Sequence, residues 1–516
     1  MKNHENAVNT GVQDLRSRIF LPVRNVLCSE RVLRAENLRE NTVFQSCGSV
    51  HDERIIFSPG AWVLLDFGRE LNGGVAIVSS EDTGRIRLRF GESATEACAR
   101  PDQDHAIHDT VLRLPRTGTL EFGNTGFRFV RIDAMDAVEV LNVYAVALER
   151  FPKEIGQFES SDKTLNAIWR TGRETVRLCM QQFLVDGIKR DRMVWCGDMN
   201  PEIAAVLVAY GPLEIIPESL KYAAKSFTQN GFLQGMPAWE LWWLVSLYDY
   251  FSAAGDTKIL NCFHERICAL VERLAESIAS DGSEKLPEYR YTCWEDEANE
   301  SARHAGLHGL LAYALFVAER LAVFLHDSDL ADSCSAMRSQ LLKHVPEPTS
   351  PMGAAMLALS GIRPFSLPSG PTSVFPAYYA LQMMNSLPAM ETVRRIWGGM
   401  LTYGGTTFHE EFDPVWLKNA CKIDEFPENG RIDFHAAYGN YCYQGYRRSL
   451  CHGWASGVTA FLSRRISGLR ALTPGYETFK VKPDFCGLKN FFIRIPVSGG
   501  TIEVEGEKGK YTFRRF

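Results

Sequence analysis

No run in this 516-residue chain reaches the ~18 consecutive apolar residues that a membrane-spanning helix requires. Excess positive charge is also missing. Lys and Arg number 56 against 62 Asp and Glu, a formal charge of −6, which argues against a nucleic-acid partner that a basic face would attract. The stretch Met1 to Val23 has no long apolar core, so no signal peptide is expected and the chain reads as cytoplasmic. Cysteine occurs 13 times, an odd number, scattered from Cys28 to Cys486 without a CxxC pair. That pattern fits reduced, mostly buried thiols better than a disulfide framework or a zinc site. What remains is an ordinary globular composition, 45% apolar and 23% charged, in a chain long enough for two or more domains.

Three segments follow one another. From about Arg54 to Arg150, the runs Trp62 to Phe67, Arg85 to Phe90, Thr119 to Phe122 and Phe127 to Ile132 largely alternate apolar and polar residues, the period of half-buried strands. Gly68, Gly73, Gly74, Gly84, Gly91, Gly123 and Gly126 read as the turns between them, which predicts an antiparallel β-sandwich with the first fifty residues along its edge. Past Gly156 the period changes. Ser161 and Asp162 offer an N-cap, and Leu165, Ile168, Trp169, Gly172, Val176 and Cys179 follow at helical spacing. Further helices are predicted near 201–211, 216–227, 239–254, 257–279, 300–325, 328–344, 351–361, 373–386, 389–402 and 452–463, and 413–445 has room for a twelfth. Twelve helices in successive hairpins would close an (α/α)6 barrel, and no fixed period supports a helical-repeat solenoid instead. The tail returns to strands at 479–482, 491–495, 501–505 and 510–513. The expected architecture is therefore a multidomain α and β chain. An N-terminal antiparallel β-sandwich (1–155) and a small C-terminal β-sheet domain (466–516) flank a central (α/α)6 barrel (156–465).

The densest chemistry is the run Asp186 to Asp198, which holds three carboxylates, two arginines, a lysine and Trp195 within thirteen residues. Charge clusters are commonly solvated surface. Carboxylates around a tryptophan also suit acid/base chemistry on a sugar ring held against an aromatic face. Trp239, Trp242 and Trp243 fall at i, i+3 and i+4, on one helix face that either packs in the core or walls a pocket. Trp294 stands beside three acids at a helix mouth, and Gly404 to Asp413 ends in Glu410, Glu411 and Asp413 with Phe408, His409 and Phe412 embedded. His452 opens the last helix, where a packed histidine and a pocket residue are both open readings. His304 and His308 lie four apart with no acid between them and no evident third ligand, so no metal site is expected.

With these motifs in this order, the chain resembles the α-L-rhamnosidases of glycoside hydrolase family 78. The resemblance rests on Leu65 to Gly74, Phe90 to Ser93 and Gly123 to Asp133 in the sandwich. In the helical body it rests on Asp186 to Asp198, Trp397 to Met400 with Thr406 to Glu410, and Ser449 to Trp454, and Pro474 to Tyr476 then opens the last sheet. It implies an inverting hydrolase with a protonated carboxyl at the leaving oxygen and an ionised carboxylate behind the attacking water. Asp191 falls where the family usually has its glutamate general acid, and Glu410 matches the general base. Asp186, Arg190 and Asp198 would hold rhamnose hydroxyls, Trp195, Trp239 and Trp294 would wall the sugar, and His452 would add a hydrogen bond. Besides Asp191, the chain departs from the family pattern at His409, where an aromatic is common and the subsite would change, and at Ala238, where an aspartate is frequent. The substrate implied is a terminal α-L-rhamnoside of a small glycoside or oligosaccharide. No cofactor, nucleic acid or membrane is implied, and the size of the chain accommodates a homodimer. A hydrolase of another sugar on the same scaffold, or a sugar-binding protein that has lost turnover, are the alternatives.

Overall fold

The computed structural model describes residues 13–40, 54–80, 84–100, 108–226, 235–287, 289–368, 372–439 and 444–516. The N-terminal strands are β1 (Ser17–Pro22), β2 (Asn25–Leu33), β3 (Ile55–Ser79), β4 (Arg85–Gly91), β5 (Asp109–Arg113), β6 (Gly118–Ala134) and β7 (Val138–Glu149). They pair in the order β1-β7-β3-β6-β4-β5, with β2 on β3. All pairs are antiparallel except β3 with β7, which run parallel. Inward residues such as Phe57, Leu65, Val75, Phe90 and Phe127 form a separate apolar core.

The glycines correct the sequence expectation. Gly68, Gly73 and Gly74 lie inside β3, and Gly123 and Gly126 inside β6, so these positions are not turns. The β3–β6 register slips between Asp66 and Leu71 and again between Gly73 and Val75. A side chain on Gly73 would collide with the Val146 carbonyl, and one on Gly74 with the Phe122 carbonyl. Here glycine permits bulges and close backbone approach in strands that continue through them.

Eight helices follow much as their periodicity predicts, including Lys163–Cys179, whose Asp162 cap accepts the Thr164 and Leu165 amides. Six helices form the inner set. They are α1 (Cys196–Ala209), α2 (Pro237–Ala254), α3 (Glu300–Leu325), α4 (Pro351–Leu359), α5 (Val374–Met383) and α6 (Gly457–Ser467). Each packs on the next, and α6 returns to α1, closing a ring. Outside it lie Lys163–Cys179, Ile215–Ala224, His264–Ala275, Ser328–Leu341 and Ser386–Thr402. The inner helices are apolar on nearly every side because they are covered all round. α3 is long and apolar enough to cross a membrane, yet 67% of its most apolar window is buried within the ring. Gly309 allows α3 to lie directly against the α4 backbone at Met356.

Four helix expectations shift, among them the last, which runs Gly457–Ser467 after a single turn at Gly453–Ser456. α1 begins at Cys196 and runs through Pro201, so Asp198 lies in its first turn. The predicted 257–279 helix breaks at Phe263 into Thr257–Cys262 and His264–Ala275. The described part of 413–445 holds only single turns, so the proposed twelfth helix is not found there. The four expected tail strands are β10 (Phe479–Val481), β11 (Asn490–Val497), β12 (Gly500–Glu507) and β13 (Lys510–Arg515), and a fifth, β9 (Leu469–Ala471), pairs with β10. β11, β12 and β13 form a sheet whose fourth strand is β8 (Gln157–Ser160), laid antiparallel on β11. The cores of this sheet and of the ring are continuous. Of the eleven described cysteines, seven are buried and none is in a disulfide, as expected of small apolar residues.

Candidate active site

At the N-terminal end of α1, α2, α3 and α6 a cavity of about 220 Å³ is lined by all nine residues singled out above: Asp186, Arg190, Asp191, Trp195, Asp198, Trp239, Trp294, Glu410 and His452. The positive ends of those helix dipoles face it. Trp195 caps α1, Asp198 and Trp239 sit in first turns, Trp294 lies in a single turn before α3, and His452 caps the turn leading into α6.

One wall is aromatic. Trp195, Trp239, Tyr291 and Trp294 follow edge to face at centroid spacings of 6.1, 5.2 and 5.0 Å, and Tyr289 stacks on Tyr291. The other wall is polar and tightly held. Gly187 and His452 form an isolated β-bridge, and the Gly453 amide donates to the Asp186 carbonyl at 2.6 Å. Asp186 accepts the Met193 amide at 2.8 Å, which folds the acidic loop on itself. Glu410 exchanges backbone and side-chain bonds with Ser449, whose amide reaches Oε2 at 3.1 Å, and its carbonyl accepts the Trp454 indole. Arg190 donates to Glu410 Oε2, to the Arg447 carbonyl at 2.6 Å, and lies 3.4 Å from Asp191 Oδ2. One guanidinium thus touches both carboxylates proposed for catalysis.

The charges are unequal. Burial pushes Glu410 upward, but Arg190, His452 and the Ser449 amide outweigh it and hold the carboxyl below its ordinary range. Asp186 and Asp198 are raised, first by burial. Burial opposes charging of His452, yet Glu410, Asp198 and Asp186 raise it, and its Nε2 lies 2.9 Å from Asp198 Oδ1. Asp191 stands apart. It and Arg192 both adopt left-handed backbone, φ +53° and +55°, a conformation costing roughly 1–2 kcal/mol per residue. The turn leaves the Asp191 side chain 33% exposed at the pocket while Asp186, Asp198 and Glu410 are buried. Glu410 Oε1 and His452 Nδ1, 3.9 Å apart, are buried without hydrogen-bond partners among the described residues. Buried polar atoms are seldom left this way except where a ligand or water completes them.

Over residues 153–341 the chain matches the family model of the bacterial α-L-rhamnosidase six-hairpin glycosidase domain. The match covers a little over a third of the chain. Solved structures agree in fold. The family 78 rhamnosidase of Bacillus sp. GL1 superposes with a TM-score of 0.71 at 19% identity over 91% of this chain and 52% of that one. The Klebsiella oxytoca rhamnosidase with rhamnose bound gives 0.70 at 18% over 88% and 96%. The Streptomyces avermitilis α-L-rhamnosidase with L-rhamnose gives 0.65 at 15% over 96% and 48%. The chain therefore spans about half the length of the Bacillus and Streptomyces proteins and nearly all of the Klebsiella one. Comparison with curated sequences gives no match.

Some pocket residues of this rhamnosidase-type domain escaped sequence reasoning: Met236, Tyr289, Tyr291, Arg447 and Trp454. The alternating Tyr289, Arg290, Tyr291 before Trp294 was a usable signal. The Trp239 group divides, because Trp242 stacks on Tyr379 and Trp243 bonds the Leu220 carbonyl inside the core. His409 corrects an expectation. It is fully buried, stacked on Phe434 and not among the cavity-lining residues, so it fills an aromatic position as an aromatic ring and does not alter the subsite. Burial holds it neutral, with a pKa of about 3.

A network outside the cavity supports its polar wall. The Lys189 ammonium, in the acidic loop, lies 3.0 Å from Glu92 and 3.1 Å from Glu96, which follow β4, and donates to the Tyr446 and Arg448 carbonyls. Glu92 in turn accepts from Ser449 and the Leu450 amide. All three charged groups are buried. The N-terminal sheet thereby grips both loops that carry Asp186, Asp191 and His452.

Proposed function

We propose that the protein is an inverting exo-glycosidase releasing terminal α-L-rhamnose from small glycosides or oligosaccharides, on an (α/α)6 barrel whose inner wall is the ring α1–α6. The observation that carries this is a single pocket with an aromatic wall facing four carboxylates, two of them bridged by Arg190. Sugars present apolar C–H faces and hydroxyl edges, and the two walls match both. Glu410, kept ionised, draws the proton from water as it attacks the anomeric carbon. Asp191, exposed at the mouth, gives its proton to the departing glycosidic oxygen. Asp186, Asp198, Arg190 and His452 hold ring hydroxyls, and no cofactor is required. We place this activity in the cytoplasm, acting on imported glycosides.

The test is release of 4-nitrophenol from its α-L-rhamnoside by wild type, Asp191→Asn and Glu410→Gln. Wild-type turnover falling at least ~100-fold in both variants is expected. Cleavage of another glycoside in a panel, with none of the rhamnoside, would replace the sugar. Rhamnose binding without any turnover would instead make the chain a binding protein.

A further inference from the structure

Away from the cavity, His264 and Cys268 stand one turn apart at the start of the helix His264–Ala275, facing Asp327. His264 Nε2 lies 2.7 Å and Cys268 Sγ 3.8 Å from the same oxygen, Asp327 Oδ2, and the three atoms all fall within 4.8 Å of one another. Asp327 is fixed. Its Oδ1 caps the helix Ser328–Leu341 by accepting the Leu330 amide at 3.0 Å, and His326 before it ends α3 in a left-handed turn. The carboxylate therefore turns Oδ2 toward the imidazole and the thiol. Among the described residues no lysine or arginine pairs with it. A contrasting cluster, Glu92, Glu96 and His435, already holds the Lys189 ammonium.

We propose that His264, Cys268 and Asp327 form a zinc-class divalent metal site that ties the helix His264–Ala275 to the start of the helix Ser328–Leu341. Nitrogen, sulfur and carboxylate donors together suit zinc. Tetrahedral coordination at ordinary bond lengths sets the N···O separation at about 3.3 Å and the S···O separation at about 3.6 Å. The present 2.7 and 3.8 Å approach these values within about half an ångström, a shift the side chains can make. The ion takes the places of two hydrogens. The Cys268 thiol releases its proton to solvent, and the imidazole gives up the hydrogen on Nε2 that faces Asp327 and carries its single proton on Nδ1, so that Nε2 can bind. With His264 38% and Asp327 23% exposed, water can fill the fourth position.

The test uses the full chain, stripped with chelator and titrated with Zn²⁺ or Co²⁺ alone. One ion per chain is expected, with a thiolate-to-cobalt charge-transfer band. Cys268→Ser should abolish the band and weaken Zn²⁺ binding at least ~10-fold, and His264→Ala should weaken it similarly. Asp327→Asn keeps the helix cap, since asparagine caps as well as aspartate, and should still lose affinity in a folded protein. Absence of stoichiometric binding, a cobalt spectrum without the thiolate band, or affinity unchanged in all three variants overturns the proposal.

Discussion

Replacing Lys189 with methionine tests whether the N-terminal sheet braces the pocket. Methionine is similar in length and apolar, so the cavity stays filled while the ammonium is removed. The change leaves Glu92 and Glu96, both buried, without their cation and takes the donor from the Tyr446 and Arg448 carbonyls. Breaking a buried pair by removing one partner costs about 3–5 kcal/mol. The loss should depend on pH with a definite sign. Burial already pushes Glu96 up to about 7, and without Lys189 it rises further. The folded state then holds a proton that the unfolded chain, titrating near its ordinary value of 4.5, has released. Stability of the variant therefore falls as pH rises above that value, and the deficit against wild type is larger at pH 8 than at pH 5. Urea unfolding followed by tryptophan fluorescence at both pH values measures it. A loss under about 1 kcal/mol at pH 8, or one equal at both pH values, refutes the reasoning. Adding Glu92→Gln to the variant should recover part of the loss, as a double-mutant cycle would report.

Arg190→Gln removes the strongest influence holding Glu410 down, so the acid limb of kcat/KM should move to higher pH, beyond any fall in activity, and an unmoved limb counts against Glu410 as the base. Gly453→Ala places a methyl against the Glu202 carboxyl, which is itself buried and raised in pKa by that burial. A cost of about 1–3 kcal/mol in thermal unfolding is expected, with a raised KM from displacement of His452, and a silent substitution would contradict this packing.

Much of this was legible from residue patterns, for physical reasons that differ by element. Long amphipathic or wholly buried helices announce themselves, and α3 and the capped helix Lys163–Cys179 fall where their spacing puts them. Strand ends were less readable, because glycine inside β3 serves a bulge as readily as a turn. The candidate site was legible as motifs, since tryptophans beside carboxylates suit a sugar pocket, and the cavity gathers the nine residues assigned to it. Its support was not. Lys189 and Glu96 are 93 positions apart, and nothing in either neighbourhood says that one charge is buried against the other. His409 misled for a related reason, because a neutral buried imidazole is chemically an aromatic ring, and only its surroundings decide which character counts.

The pairing of β8 with β11 has a consequence for synthesis. Phe158 lies opposite Ile493, so the strand that precedes the helix Lys163–Cys179 finds its neighbour 335 positions later. A ribosome must add the residues between these two strands before that clasp can fasten. Until then the growing helices hold unfinished apolar flanks, which makes the interval when chaperones matter coincide with synthesis of the whole helical body.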